Sequence, residues 1–248
     1  MTPGAAAAIL AAGVGAGTIN AIVGSGSLIT FPTLVALGYP PLIANVSNNV
    51  GLFPGSVSGA VGYRRELAGQ RRRVLLFSAV CAVGAAIGAE LLLVLPASVF
   101  KRVVPALILL AMVLVLVQPR LARRAAERHG AVDRIGTPVI VGMLLASVYG
   151  GYFGAAQGVI YIALLGIFLA DHLQRVNALK NAVSGVVNGV AAVAFIVQSH
   201  PDWAVVGLIA VGSTIGGQLG AHIGRRLAPT ALRVVIVAVG AIAVWRLL

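Results

Sequence analysis

Long apolar runs, separated by short polar or basic intervals, recur along the whole chain. They predict segments at 4–23, 27–38, 41–63, 74–95, 103–118, 137–156, 158–170, 176–198, 203–222 and 231–248. A run such as Val103 to Val117 is apolar on every side and lacks the in–out alternation of a barrel strand, so these segments read as helices. A helix needs about 20 apolar residues to cross the ~30 Å hydrocarbon core. Two segments, 27–38 and 158–170, are too short for that at 1.5 Å per residue, and they hold equivalent places in the two halves of the chain.

The halves also match residue by residue. Val83 to Leu91 parallels Val211 to Leu219, with Gly84 and Gly88 opposite Gly212 and Gly216, and Glu90 opposite Gln218. Arg102-Val103-Val104 recurs as Arg233-Val234-Val235, and Asn45 and Asn49 match Asn177 and Asn181. The expected organisation is a first transmembrane repeat at 1–118, a basic cytoplasmic linker at 119–136 and a second transmembrane repeat at 137–248. Each repeat has about five segments, and an odd number of crossings turns the second upside down relative to the first. The fold class is therefore an all-α polytopic membrane protein of two inverted-topology repeats, with short broken helices near 24–38 and 154–170. Paired interrupted helices in inverted repeats are the pattern of secondary transporters. The glycines at four-residue spacing, including Gly220 and Gly224, read as close helix packing in lipid.

Composition agrees with the pattern. Of 248 residues, 59% are hydrophobic and 10% charged, against about 25% charged in a soluble domain, which excludes an ordinary soluble enzyme or a disordered chain. The net charge of +12 does not form a nucleic-acid-binding stripe, since the basic residues lie in clusters between apolar runs. These clusters are Arg64 to Arg73, Arg120 to Arg134, and Arg225, Arg226 and Arg233. Placing all three in the cytoplasm satisfies the positive-inside rule, puts both termini outside if the short segments count as crossings, and leaves Lys101, Arg102 and Arg246 as exceptions. The amino terminus has no basic residue ahead of its apolar stretch and reads as the first membrane helix rather than a cleaved signal. Cys81, the single cysteine, reads as a small buried hydrophobe, and the four histidines lack metal-ligand spacing. Gly24-Ser25-Gly26 has no assignable base for hydrolase chemistry. No Walker A sequence is present. Neither cofactor nor metal is expected.

Three patches carry candidate chemistry. Around Gly24-Ser25-Gly26-Ser27, glycines and serines interrupt the helix. Non-helical backbone at membrane depth is tolerated only where it is buried in protein or lines a cavity. Free N–H groups at a helix start there can receive an anion, with Ser25 and Ser27 hydroxyls as further donors; an ordinary serine-capped loop is the alternative. The equivalent break, Gly150 to Gly158, places Gln157 opposite Ser25, as a ligand or as an interhelical hydrogen-bond partner, with Gly158 at the next helix start. Asn177, Lys180, Asn181, Ser184 and Asn188 form one polar stripe at helical spacing. Lys180 either faces a polar cavity or snorkels to the interface beside Arg175, because a charge inside a spanning helix rarely faces lipid. The first-half counterpart, Asn45, Ser47, Asn48 and Asn49, has no charge. One fixed positive charge among neutral donors suits a small anion. Glu90 is a candidate coupling carboxylate, or an interfacial acid paired with Lys101.

Gly24-Ser25-Gly26-Ser27-Leu28-Ile29-Thr30-Phe31-Pro32, then Gly38-Tyr39-Pro40-Pro41 and Asn45 to Asn49, resembles the first-half signature of the TauE/SafE family. Tyr149 to Gly154, followed by Asn177-Ala178-Leu179-Lys180-Asn181, resembles its second-half signature. The resemblance covers nearly the whole chain in the same order. It implies an inner-membrane permease of bacterial type that moves sulfite or other small sulfur-containing or organic anions. The chain departs from the family at Ser25 and Ser27, where glycines are usual, and at Ser47-Asn48, where a threonine-asparagine or threonine-serine pair is usual. These are pocket positions, so the substrate choice extends beyond sulfite.

The expected function is a multi-pass secondary transporter of a small oxyanion in the cytoplasmic membrane, working by alternating access. The expected substrate-binding residues are Ser25, Gly26, Ser27, Asn48, Gln157, Gly158, Lys180 and Asn181. Its partners are the anion and the bilayer, with no nucleic acid, and a homo-oligomer is left open. An anion channel and a non-transporting subunit of a larger membrane complex are the rival classes.

Overall fold

The computed structural model describes residues 1–127, 135–169 and 171–223. The predicted last segment 231–248, the third basic cluster, Gly224, Arg246 and the middle of the predicted linker, with Arg128, His129 and Arg134, lie outside the described residues. The described chain is helical: α1 (Pro3–Ile22), α2 (Ser27–Ala36), α3 (Pro41–Gly62), the single turn α4 (Arg64–Leu67), α5 (Arg71–Val94), α6 (Ala97–Glu127), α7 (Thr137–Tyr152), α8 (Gln157–Phe168), α9 (Leu173–Gln198) and α10 (Trp203–Ile223). Among these residues there is no strand. One boundary differs clearly from expectation. Helix α6 runs on through Glu127, over the first half of the predicted linker, because the Arg, Leu, Ala and Glu that follow Pro119 there are good helix formers. The apolar pattern marks where lipid contact ends, not where the helix ends.

Among the described residues, five helices are long and apolar enough to cross a membrane: α1, α5, the Ala97–Val117 stretch of α6, α9 and α10. Helix α3 has 22 residues, but Asn45, Ser47, Asn48, Asn49, Ser56 and Ser58 are all buried within it. The short helices α2 and α8 have 10 and 12 residues, about 15 and 18 Å at 1.5 Å per residue, roughly half the core thickness. Polarity is inverted relative to a water-soluble bundle. Val83, Ile87 and Leu91 of α5, Leu109 and Val113 of α6, and Val211 and Ile215 of α10 face outward, while the asparagines face inward. A multi-pass membrane protein accounts for both facts.

Packing pairs recur with the halves exchanged. Helix α1 packs on α10 and α7 on α5, while α3 packs on α10 and α9 on α5, and α3 and α9 lie against each other. Small residues permit these contacts. A β-carbon on Gly212 or Gly220 would meet the α1 backbone at Leu10 or Thr18, and one on Gly84 would meet the α7 backbone at Leu144. The predicted four-residue glycine spacing therefore marks real backbone approach.

One end of the bundle gathers charge. Arg73 donates to Asp171 at 2.7 Å and Arg175 to the same carboxylate at 3.0 Å. Arg175 also donates to the carbonyls of Glu66 and Ala68, and Gln70 donates back to the Arg175 carbonyl. Burial raises the Asp171 pKa, but the Arg175, Arg73 and His172 amide hydrogen bonds outweigh it and hold the carboxyl below its ordinary range. Residues 64–73 and 171–175 thus lie at the same end of the bundle.

Candidate functional site

The two helix breaks meet inside the bundle. Helix α1 ends at Ile22, and Gly24 turns the chain with φ +85°. The second break turns at Gly154 with φ +74° and at Ala156 with φ +59°, a left-handed conformation that costs a residue with a β-carbon about 1–2 kcal/mol. Gly24 and Ala156 hold equivalent places in the two halves. The Gly158 amide donates to the Gly24 carbonyl at 3.0 Å, and a β-carbon on either glycine would overlap the other's backbone. This corrects one expectation: the α8 start does not offer the Gly158 amide to an anion, since that amide closes the contact between the breaks.

Polar side chains from four helices converge beside this contact. Lys180 of α9 has no exposed surface. Its ammonium donates to the carbonyls of Asn20 at 2.8 Å and Ala21 at 3.2 Å, at the carbonyl-rich end of α1, where a cation complements the helix dipole. Asn177 and Asn181 donate to the same Ala21 carbonyl at 3.2 and 3.0 Å. Three donors thus share one oxygen that has two lone pairs. Lys180 therefore neither snorkels nor faces open solvent; it caps α1. Among the described residues no carboxylate pairs with it: Asp171 holds Arg73 and Arg175, Asp202 accepts the Ala204 and Val205 amides, Glu90 accepts from Gln198, and Glu66 has a partner of its own.

Next to Lys180 runs a chain of side-chain hydrogen bonds. Gln157 of α8 donates to Asn188 at 3.2 Å, Asn188 donates to Ser56 at 2.9 Å, and Asn20 donates to the same hydroxyl at 3.3 Å. Ser25 Oγ, Ser184 Oγ, Asn177 Oδ1 and Gln157 Oε1 are buried without a partner. Buried polar atoms are almost always paired, so these point to a ligand or water. The first half shows the counterpart: Asn45 donates to the Tyr152 carbonyl at the end of α7 at 3.0 Å, as Asn177 does at the end of α1. Asn48 accepts the Thr30 hydroxyl.

Of the expected residues, Lys180, Asn181 and Gln157 fall in or beside this polar cluster, with Ser25 and Gly26 in the break next to it and Ser27 half-buried at the α2 start. Asn48 is buried on α3 against α2. Glu90 is not part of the cluster; it is exposed and accepts from Gln198 at 2.6 Å. That partner is 18 residues along α9 from Lys180, or about 27 Å at the helical rise. Sequence reasoning missed Asn20, Ser56 and Thr30. A signal existed for Ser56, which is offset from Asn188 as Asn45 is from Asn177, and for Asn20, an amide in an otherwise apolar helix.

Comparison with known proteins agrees. The family model described as Sulfite exporter TauE/SafE matches residues 9–247. The "Probable membrane transporter protein YfcA" of Escherichia coli strain K12 is 28% identical over 94% of this chain and 86% of its own length. A "Probable membrane transporter protein" of Haemophilus influenzae is 26% identical over 93% of this chain and 89% of its own. No solved structure matches the chain significantly. With two interrupted helices crossing beside a buried lysine, and a family match over nearly its whole length, the chain belongs to the TauE/SafE family of membrane transporters.

Proposed function

We propose that this chain is a secondary carrier that moves a small oxyanion, such as sulfite or a sulfonate, across the cytoplasmic membrane by alternating access. The observation that carries the proposal is Lys180: a fully buried ammonium, sharing two carbonyls with Asn177 and Asn181 and lacking a carboxylate partner among the described residues. An unpaired buried charge is costly, and an anion supplies both counter-charge and acceptor atoms. Ser25, Ser27 and Gly26 at the α2 start, with Gln157, Asn181 and Asn48, orient the ion. The conformation is closed, since Lys180 has no exposed surface.

The exchanged helix pairings and the matched caps from Asn45 and Asn177 support two inverted repeats that rock about the α3–α9 contact. The basic end around Arg73 and Arg175 faces the cytoplasm. Sulfite comes from the family's description; the serines at 25 and 27 extend the choice to sulfonates. Coupling through Glu90 is not favoured, given its exposed position. Counterflow in liposomes containing only this protein tests the reading, with sulfite, thiosulfate, sulfoacetate and acetate in parallel. Saturable exchange of one anion is expected, falling roughly 10- to 100-fold in Lys180→Ala, since hydrogen bonds to charged groups contribute about 1.5–3 kcal/mol. Large unitary currents would indicate a channel. No exchange from folded protein would indicate a complex subunit.

A further inference from the structure

Two cavities share one residue. The first is an apolar groove of about 780 Å³ between α3 and α9, walled by Phe53, Val57 and Val61 on one side and Val186, Val190 and Val193 on the other. Its rim is open, with Val57 43%, Val61 49% and Val193 64% exposed. Gly185 and Gly189 take away side-chain bulk from the α9 wall. At one end the groove reaches Arg64. The second cavity, about 190 Å³, is polar and cationic, lined by Arg64 again with Arg65, His222 and Gln218. Arg64 is exposed, donates to the Val61 carbonyl at the end of α3 at 3.4 Å, and lines both cavities.

We infer that this pair of cavities holds an anionic phospholipid, one acyl chain in the α3–α9 groove and the phosphate at Arg64 and Arg65. The dimensions fit. Val50 to Val61 spans about 16 Å at 1.5 Å per residue, close to the half-thickness of a ~30 Å hydrocarbon core. The chain therefore lies along one leaflet and its headgroup reaches the basic end. Charge selects the headgroup, because each basic residue at a membrane surface favours anionic lipid by about fivefold. A zwitterionic lipid fills the groove equally well but has no net charge for the arginines. A second copy of the chain, itself carrying a net charge of +12, would bury the apolar rim but set like charge against Arg64 and Arg65. This site is independent of how the central lysine is used.

The test uses the purified full chain in detergent. Phosphatidylglycerol and phosphatidylcholine with identical acyl chains are titrated while heat unfolding and native mass spectra are recorded. Phosphatidylglycerol at ~100 times its dissociation constant should raise the unfolding midpoint by roughly 5–10 °C. Phosphatidylcholine should do so only at higher concentration, and spectra should show one retained phosphatidylglycerol per chain. Arg64→Gln should weaken phosphatidylglycerol about fivefold and leave phosphatidylcholine unchanged; Val57→Trp, which fills the groove, should weaken both. Equal response to the two lipids would overturn the proposal, and so would an Arg64→Gln protein that keeps the preference. Inorganic phosphate reproducing the whole effect would also overturn it, leaving only an anion basin, and a lipid-independent dimer would assign the groove to a second copy.

Discussion

Gly24→Ala is the sharpest perturbation of the crossed breaks, because its two costs can be separated. Gly24 has φ +85°, and a β-carbon in the left-handed region costs about 1–2 kcal/mol. That β-carbon would also overlap the Gly158 backbone, with the Gly158 carbonyl carbon at 2.8 Å. Backbone cannot rotate aside as a side chain can, so relieving the overlap means separating the breaks and lengthening the Gly158–Gly24 hydrogen bond. Overpacking of this kind costs typically 1–3 kcal/mol. Gly38 is the control: its φ is +90°, but a β-carbon there meets nothing within 4 Å. Gly38→Ala should lose only the conformational cost. The difference between the variants, about 1–3 kcal/mol, should appear as roughly 2–12 °C in the unfolding midpoint of detergent-purified protein. Anion counterflow should drop in Gly24→Ala and survive in Gly38→Ala. If both variants unfold at the same temperature and exchange equally well, the breaks do not cross as described.

Three further outcomes follow from individual contacts. Asn45→Ala and Asn177→Ala remove matched caps and should each cost about 1 kcal/mol, read by thermal unfolding; a large cost for one and none for the other would break the equivalence of the halves. Ala156→Gly removes a strained left-handed β-carbon and should stabilise by about 1 kcal/mol, read as a raised unfolding midpoint; a lowered midpoint would refute the strain. Asp171 has a folded pKa below its unfolded value of 3.8. Its contribution is therefore present above about pH 4 and lost as pH falls through the folded value. Asp171→Asn should be less stable at pH 7 and lose less than wild type on acidification, measured as unfolding midpoints between pH 7 and pH 3.

The segments were legible because lipid imposes a simple rule: apolar outside, polar groups satisfied within. Gly24, Gly26, Gly150, Gly151 and Gly154 announced both breaks, and the spacing of Asn177, Lys180 and Asn181 announced one polar face. What those groups bind could not be read along the chain. That Lys180 reaches Asn20 and Ala21 depends on where α1 stops relative to α9, a tertiary fact with no local signature. The Gly158 amide is another example: as a helix start it reads as an anion site, and only the approach of Gly24 removes it. Helix α6 exceeded its apolar limit because helix propensity and lipid contact are different properties that part company at residues 119–127.

The asymmetry between the matched caps bears on the proposed cycle. Helix α7 is held at Tyr152 by Asn45, a neutral amide, whereas α1 is held by Asn177, Asn181 and the charge of Lys180. In an inverted-repeat carrier the other end state is reached when the halves exchange local arrangements. The α1 end must then move away from α9, and Lys180 loses both carbonyls. No residue at the matched position of the first half can take up the charge, because Asn48 stands there. The exchange thus leaves either a buried ammonium without acceptors or a lysine that has had to give up its proton near neutral pH, and each costs several kcal/mol unless something negative replaces the Asn20 and Ala21 oxygens. A bound oxyanion does so with oxygen atoms of its own. Empty protein should therefore stay in the closed state, and the anion should be required for the exchange. On this argument Lys180→Gln, which relieves the charge but keeps a hydrogen-bonding head, should let the empty carrier interconvert. Distance measurements between spin labels on α1 and α9 would show one distance for empty wild type, two with anion, and two for Lys180→Gln without it; a single distance in the empty variant would refute the argument.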